Sequence, residues 1–161
     1  MISHPFPPLY DQNSEILILG SFPSVKSRET MFFYGHPQNR FWKVISAIYK
    51  EPEPDTIQEK RELLLRHQIA LWDVIKSCDI TGSSDSSIRS VIPNDLSEIL
   101  DTAPIGRIYV NGKTAEKMYR KYTEPLTHTK AIVLPSTSPA NAVWSLERLI
   151  EEWKVIASTI R

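Results

Sequence analysis

The chain has 161 residues, one domain's worth, long enough to bury roughly 70% of the surface its unfolded form exposes. A hydrophobic fraction of 41% is too high for a disordered chain, and no apolar run reaches the roughly 18 residues that a membrane span needs. Nineteen basic and nineteen acidic residues cancel, which excludes a protein that coats nucleic acid by bulk charge, and the single cysteine, Cys78, excludes an internal disulfide.

Proline and glycine punctuate the chain clearly. His4–Pro8 reads as an extended entry, with no basic cluster before an apolar stretch and so no secretory signal. Glu15–Gly20 is a short apolar run closed by glycine and is expected to be a buried strand. Residues 21–38 hold Pro23, Gly35 and Pro37, show little periodicity and are expected to form a long loop, a feature that compact domains mostly keep for function. Phe41, Trp42, Ile45 and Ile48 recur at helical spacing within Asn39–Tyr49, and Asp55–His67 opens on Asp-x-x-Gln, a variant capping box. Ile69–Val74 is a second buried strand. Ser77–Pro93, with six serines and a glycine, reads as a second long loop. Asn94 is expected to cap a short helix ending near Thr102. Arg107–Asn111 is a third strand, Lys113–Tyr122 a helix, and Lys130–Pro135 a fourth strand. Ser136–Asn141 is a loop. Ala142–Thr159 is the longest expected helix, with Val143, Leu146, Leu149, Ile150 and Trp153 on one stripe.

Strands that alternate with helices, each strand an unbroken apolar run, imply a parallel sheet covered on both faces. The expected fold class is α/β, a three-layer α/β/α sandwich with a central four-stranded parallel sheet, in one domain over residues 1–161. Ligands of such sheets bind beyond the C-terminal strand ends, here Gly20–Ser24, Asp73–Ser77, Asn111–Lys113 and Pro135–Asn141.

Several familiar chemistries are missing. Gly112-Lys113-Thr114 resembles the tail of a phosphate loop, but Arg107 stands where that motif needs glycine. His4, His36, His67 and His128 form no helical pair and have no cysteine partners, so no metal site and no cofactor are expected. Ser21, Ser24 and Ser136 follow strands without a nucleophile elbow around them.

Two segments stand out. The first is Gly20-Ser21-Phe22-Pro23-Ser24, continuing through Phe33-Tyr34 to Gly35-His36-Pro37-Gln38-Asn39-Arg40-Phe41-Trp42. Aromatics precede a turn, and an amide and a guanidinium then open a helix, which suits a flat polar ligand beside an anion. Phe41 and Trp42 read as core, whereas Phe33 and Tyr34 read as binding residues. Residues 21–50 hold Lys26, Arg28, Arg40, Lys43 and Lys50 against Glu29 alone, a local charge of about +4. The second segment is Leu134-Pro135-Ser136-Thr137-Ser138-Pro139-Ala140-Asn141. Ser138 reads as the cap of the last helix with Pro139 in its first turn, and the exposed amides and hydroxyls suit a phosphate.

These two segments resemble the hypoxanthine (deoxyinosine) DNA glycosylases, a branch often called family six of the uracil-DNA glycosylase superfamily. The string Tyr34-Gly-His-Pro-Gln-Asn-Arg-Phe-Trp42 carries most of the specificity, and order and spacing agree over nearly the whole chain, including Gly82–Ile88 in the serine-rich loop. The resemblance implies a four-stranded α/β/α glycosylase fold without metal or cofactor. Gly20–Ser24 would be the first motif, although Phe22 and Ser24 stand where most of the superfamily has a water-activating acid or amide. In this branch the catalytic amide falls on Asn39. Leu134 opens the second motif where the superfamily often has histidine.

The resemblance also implies an enzyme that extrudes a damaged nucleotide from DNA and holds its base in a pocket. Gly20, Ser21, Phe22, Pro23, Ser24, Phe33, Tyr34, Trp72 and Asp73 would bind the base. Lys26, Arg28, Arg40, Ser136, Ser138, Pro139, Ala140 and Asn141 would meet the DNA. Asp73 is read either as an acceptor for the base or as a turn cap, and Trp72 either as rim or as core. The expected partner is damaged DNA, single or double stranded, with the protein a cytoplasmic, nucleoid-associated monomer. A wider enzyme taking uracil or xanthine, and a module that binds a nucleobase without hydrolysis, remain as other readings of the same pocket.

Overall fold

The unbroken apolar runs become central strands because only a sheet covered on both faces can bury them whole. In the computed structural model, which describes residues 1–159, the chain begins with β1 (Ile2–Ser3), β2 (Ile16–Gly20), α1 (Val25–Thr30), α2 (Phe41–Ile48) and α3 (Ile57–Arg66). It continues with β3 (Ile69–Asp73), β4 (Ile75–Asp79), β5 (Arg89–Pro93), α4 (Ser97–Thr102), β6 (Arg107–Asn111) and α5 (Lys113–Met118). It closes with α6 (Glu124–Thr127), β7 (Ile132–Leu134) and α7 (Leu146–Trp153), followed by a 3₁₀ stretch over Lys154–Thr159. The expected domain of residues 1–161 also includes Ile160 and Arg161, which lie outside the described residues.

The main sheet has the order β3-β2-β6-β7, all parallel. Every residue of β2 and β3 is buried, as two-sided cover requires. α3 packs on β3, α5 on β6, and α7 against α2; right-handed crossovers, the rule for such sheets, would place α1–α3 on one face and α4–α6 on the other. This is the three-layer α/β/α sandwich that the sequence predicts. The register puts Gly20 beside Asp73 at the C-terminal edge, so two residues far apart in sequence share one strand-end position.

Several local expectations are corrected. Ser77–Pro93 is not one loop. The chain leaves β3 and enters β4 at once, and β4 pairs antiparallel with β5 on one side and with β1 on the other. Exposed Lys76 and Asp79 within β4 and weak burial in β5 gave the stretch no apolar run to betray it. The 21–38 loop contains α1, capped by Ser24, whose hydroxyl accepts from the Ser27 N–H. The box that opens α3 sits one residue later than expected: Thr56 accepts from Glu59 N–H while the Glu59 carboxylate accepts from the Thr56 N–H. Asn94 caps no helix, because α4 begins at Ser97 with Leu96 in the cap position; the Asn94 Nδ2 instead donates to the Asp73 carbonyl at 2.9 Å. The expected helix Lys113–Tyr122 is α5 followed by a π turn over Tyr119–Thr123. The last helix begins at Leu146 with Ser145 as its cap, so Ser138 and Pro139 do not open it, and Val143 is 82% exposed rather than part of the stripe.

Candidate active site

A cleft of about 480 Å³ opens beyond the C-terminal ends of the parallel strands. Gly20 ends β2, Asp73 ends β3, Asn111 ends β6, and Ser136 follows β7, so each central strand delivers one residue to it. The volume falls in the range of small-molecule pockets.

Asn39 stands at one wall. Its Oδ1 accepts from the Phe41 N–H at 2.9 Å, which starts α2 and fixes the amide; that cap leaves Nδ2 uncommitted. Arg40 knits the two motif segments together. Its backbone N–H donates to the Thr137 carbonyl at 3.1 Å. Its guanidinium donates to the carbonyls of Ser138 and Asn141, each at 3.1 Å, and to that of Trp144. Arg40 therefore spends its charge on loop carbonyls and is not among the residues facing the cleft.

The second-motif loop is braced by its own side chains. Ser136 Oγ accepts from the Ser138 N–H, Ser138 Oγ accepts from the Ala140 N–H, and Asn141 Nδ2 donates to the Ser136 carbonyl. Each serine hydroxyl keeps its own O–H to donate. Ser136, Ser138, Pro139 and Ala140 face the cleft; Asn141 does not. Thr137, fully buried, exchanges two hydrogen bonds with the Asn111 amide, both at 3.0 Å.

The floor is built around Gly20. A Cβ there would meet Asp73 Oδ1 at 2.6 Å and the Tyr34 hydroxyl at 3.2 Å, so glycine is what leaves room for both. Tyr34 adopts the left-handed conformation (φ 53°) and stacks its ring on Phe41 at 4.2 Å between centroids. Its hydroxyl is buried without a hydrogen-bond partner of good geometry. Burial first, then the Asp73 charge, pushes the phenol well above its ordinary pKa, against a weaker pull from the Asn111 amide, so it stays protonated. Asp73 is 4% exposed and pairs through Oδ2 with His4 Nε2 at 2.7 Å. Asp85 stands on the rim, 3.4 Å from Ser21 Oγ. Desolvation and the Asp73 charge push its carboxyl up, against the hydroxyls of Thr114 and Ser21.

The structure thus gathers Gly20, Ser21, Phe22, Pro23, Ser24, Phe33, Tyr34, Asn39, Asp73, Ser136, Ser138, Pro139 and Ala140 around one space. Of these, Phe22 and Phe33 are mostly core, at 9% and 2% exposed. Trp72 stands behind the floor, its ring 4.5 Å from that of His4. Arg28 donates to the Gly82 carbonyl at 2.6 Å and ties α1 to the serine-rich loop, while exposed Lys26 sits 3.7 Å from Glu29. Neither faces the cleft. Ser27, His36, Asn111, Thr137 and the stretch Ser83–Ser86 also face the cleft, although the sequence reading gives them no role. Asn111 and Thr137 lie at the predicted strand ends, and His36 and Ser83–Ser86 within the motif segments; only Ser27, on a helix the sequence did not show, needed the fold.

The comparisons with known proteins agree with this architecture. The family model described as the uracil DNA glycosylase superfamily matches residues 7–158, and the chain belongs to that superfamily. It is 38% identical to the hypoxanthine DNA glycosylase of Methanosarcina acetivorans over 97% of this chain and 98% of that protein. It is 37% identical to the hypoxanthine DNA glycosylase of Methanosarcina barkeri, over 84% of this chain and 86% of that one. A solution NMR structure of a candidate uracil DNA glycosylase from M. acetivorans superposes with a TM-score of 0.82 at 35% identity, covering 98% of this chain and 97% of that one.

Proposed function

We propose that this chain is a monofunctional DNA glycosylase of base excision repair. It flips a deaminated nucleotide out of DNA, takes hypoxanthine from deoxyinosine as its base, and hydrolyses the N-glycosidic bond to leave an abasic site. The observation that carries the reading is the placement of Asn39, Tyr34 and Asp73 around one strand-end cleft, with the Ser136 and Ser138 hydroxyls beside it. The two Methanosarcina relatives bear the name of that activity.

The chemistry rests on what each group can do. An amide does not take a proton near neutral pH, so Asn39 is not a general base. With one lone pair of Oδ1 held by the Phe41 N–H, its other lone pair and Nδ2 orient the attacking water and the base. Bond cleavage passes through an oxocarbenium-like sugar. Hypoxanthine leaves more readily than adenine because its keto form spreads the developing negative charge, so positioning and oriented dipoles suffice. Asp73 Oδ1 accepts the N1–H of the base, and the Tyr34 ring, backed by Phe41, offers it a stacking face. Ser136 and Ser138 donate to phosphates beside the lesion, and Pro139 and Ala140 fill the gap left in the stack. No step needs a metal or a cofactor.

The partner is damaged DNA, single or double stranded, met by one copy of the chain acting as one domain at the nucleoid in the cytoplasm. Among the described residues no helix is long and apolar enough to cross a membrane.

The test is release of hypoxanthine from a duplex holding one deoxyinosine opposite thymine, with protein in excess. The wild-type chain is expected to release it, and Asn39→Ala to lose about a hundredfold or more in rate, the scale of one removed oriented dipole. Binding of the duplex with no base released at all would replace the enzyme by a damage-binding module.

A further inference from the structure

His4 and Asp73 form the most enclosed imidazole–carboxyl pair among the described residues, with side chains 2% and 6% exposed. The glycosylase chemistry above uses the carboxylate and leaves the imidazole unexplained. For Asp73 to serve as an acceptor, the proton of this bond must sit on His4 Nε2, the tautomer this pairing would select. His4 Nδ1 is buried with no partner. Four aromatic rings hold the imidazole: Phe6 and Trp72 at 4.5 Å, Phe22 at 6.0 Å and Phe33 at 6.3 Å between centroids. The His4 N–H donates to the Lys76 carbonyl at 2.8 Å, which pins the backbone as well.

Asp73 is held from its other end too, since Asn94 donates to its carbonyl. With Oδ2 taken by His4 and the backbone fixed in register with Gly20, the second oxygen has one place to be. That oxygen, Oδ1, lies where a side chain on residue 20 would otherwise be, on the floor of the cleft.

The geometry points to His4 as a positioning residue that fixes Asp73 as a hydrogen-bond acceptor, so that the cleft takes bases with a ring N–H beside a carbonyl. The inference rests on the glycosylase reading and names what its base contact selects. Hypoxanthine offers N1–H where adenine has a bare N1. Uracil offers N3–H where cytosine has a bare N3. An oriented carboxylate meets a donor in each deaminated base and a lone pair in each parent, and an unmet buried acceptor is costly. Guanine keeps its N1–H, so this contact reads loss of the amino group from adenine and cytosine and leaves guanine and xanthine undistinguished.

The test separates binding from hydrolysis. Single strands carrying one 2′-fluoro-deoxyinosine or one 2′-fluoro-deoxyadenosine resist cleavage and need no unpairing, so the ratio of their dissociation constants reads the floor alone. Wild-type protein is expected to prefer the inosine strand by about tenfold or more, the scale of one charged hydrogen bond. An N1-methyl inosine strand should lose that preference without any change to the protein. His4→Leu should bring the ratio to within about twofold of unity, and His4→Gln, whose Nε2 can donate from a similar place, should restore most of it. Asp73→Asn, which can present an N–H2 instead, should flatten or invert it. An unchanged ratio in folded His4→Leu, no rescue by His4→Gln, or no effect of N1-methylation in the wild type would each overturn the proposal. If the wild-type chain shows the preference yet releases no hypoxanthine, the hydrolytic reading falls and the acceptor floor stands.

Discussion

Two carboxylates share the cleft and live in different physics. Asp73 ends a central strand, is 4% exposed and is paired with a buried imidazole. Asp85 sits in the serine-rich connection between β4 and β5, at the exposed rim, where desolvation and the hydroxyls of Thr114 and Ser21 act on it. The first has its orientation decided by the fold, and the second is free to answer to pH and solvent. One cleft can therefore hold a rigid acceptor at its floor and a soft charge at its rim, using the same side chain.

The comparison can be broken by substitution, and the largest effect is expected at the floor. Asp73→Ala strands the His4 N–H among four aromatic rings and should cost about 3 kcal/mol, the lower range for breaking a buried pair, read as a lower urea midpoint. Gly20→Ala comes next. Its methyl would sit 2.6 Å from Asp73 Oδ1, so the carboxylate must give way. Overpacking of this kind costs roughly 1–3 kcal/mol and should also slow hypoxanthine release. Tyr34→Phe removes a buried hydroxyl that has no well-formed hydrogen bond, so stability should hold or rise by about 1 kcal/mol, seen as an equal or higher Tm.

Asp85→Asn should matter least, within about 0.5 kcal/mol, and its sign should depend on pH. The folded carboxyl is raised, so the fold favours its protonated form. The penalty on the ionised form is absent below the ordinary carboxylate range and grows as pH rises through the folded pKa. Asn removes that penalty, so the variant should be slightly more stable than wild type near pH 7 and indistinguishable near pH 3. An Asp85→Asn chain that unfolds as easily as Asp73→Ala would show that the rim is as rigid as the floor and end the distinction.

Much of the frame was legible in the sequence. The buried runs at Ile16–Gly20, Ile69–Asp73 and Arg107–Asn111 were placed to within a residue or two, because two-sided burial leaves an unbroken apolar signature. Asn39 was findable through the resemblance of the Tyr34–Trp42 string. The antiparallel sheet escaped, because Lys76 and Asp79 interrupt β4 and β5 is barely buried. Arg40 read as a DNA contact because a guanidinium after an amide looks like an anion site; its partners lie 98 to 104 residues away, in and just after the second motif. Tyr34 read as a base-binding residue, and its stacking on Phe41 was visible only once the left-handed turn had folded it back.

His4 marks the boundary most sharply. Like the other scattered histidines it carried no signal in the sequence, and 69 residues separate it from its carboxylate. By itself the sequence determined the parallel sheet and the strand ends where a ligand must sit, because apolar runs act over a few residues, whereas each cap it suggested moved or failed once the layers had closed. Tertiary structure alone decided which carboxylate is held and which is free, and where the arginine charge is spent. Burial and hydrogen-bond pairing between distant segments are set only when the layers close on one another.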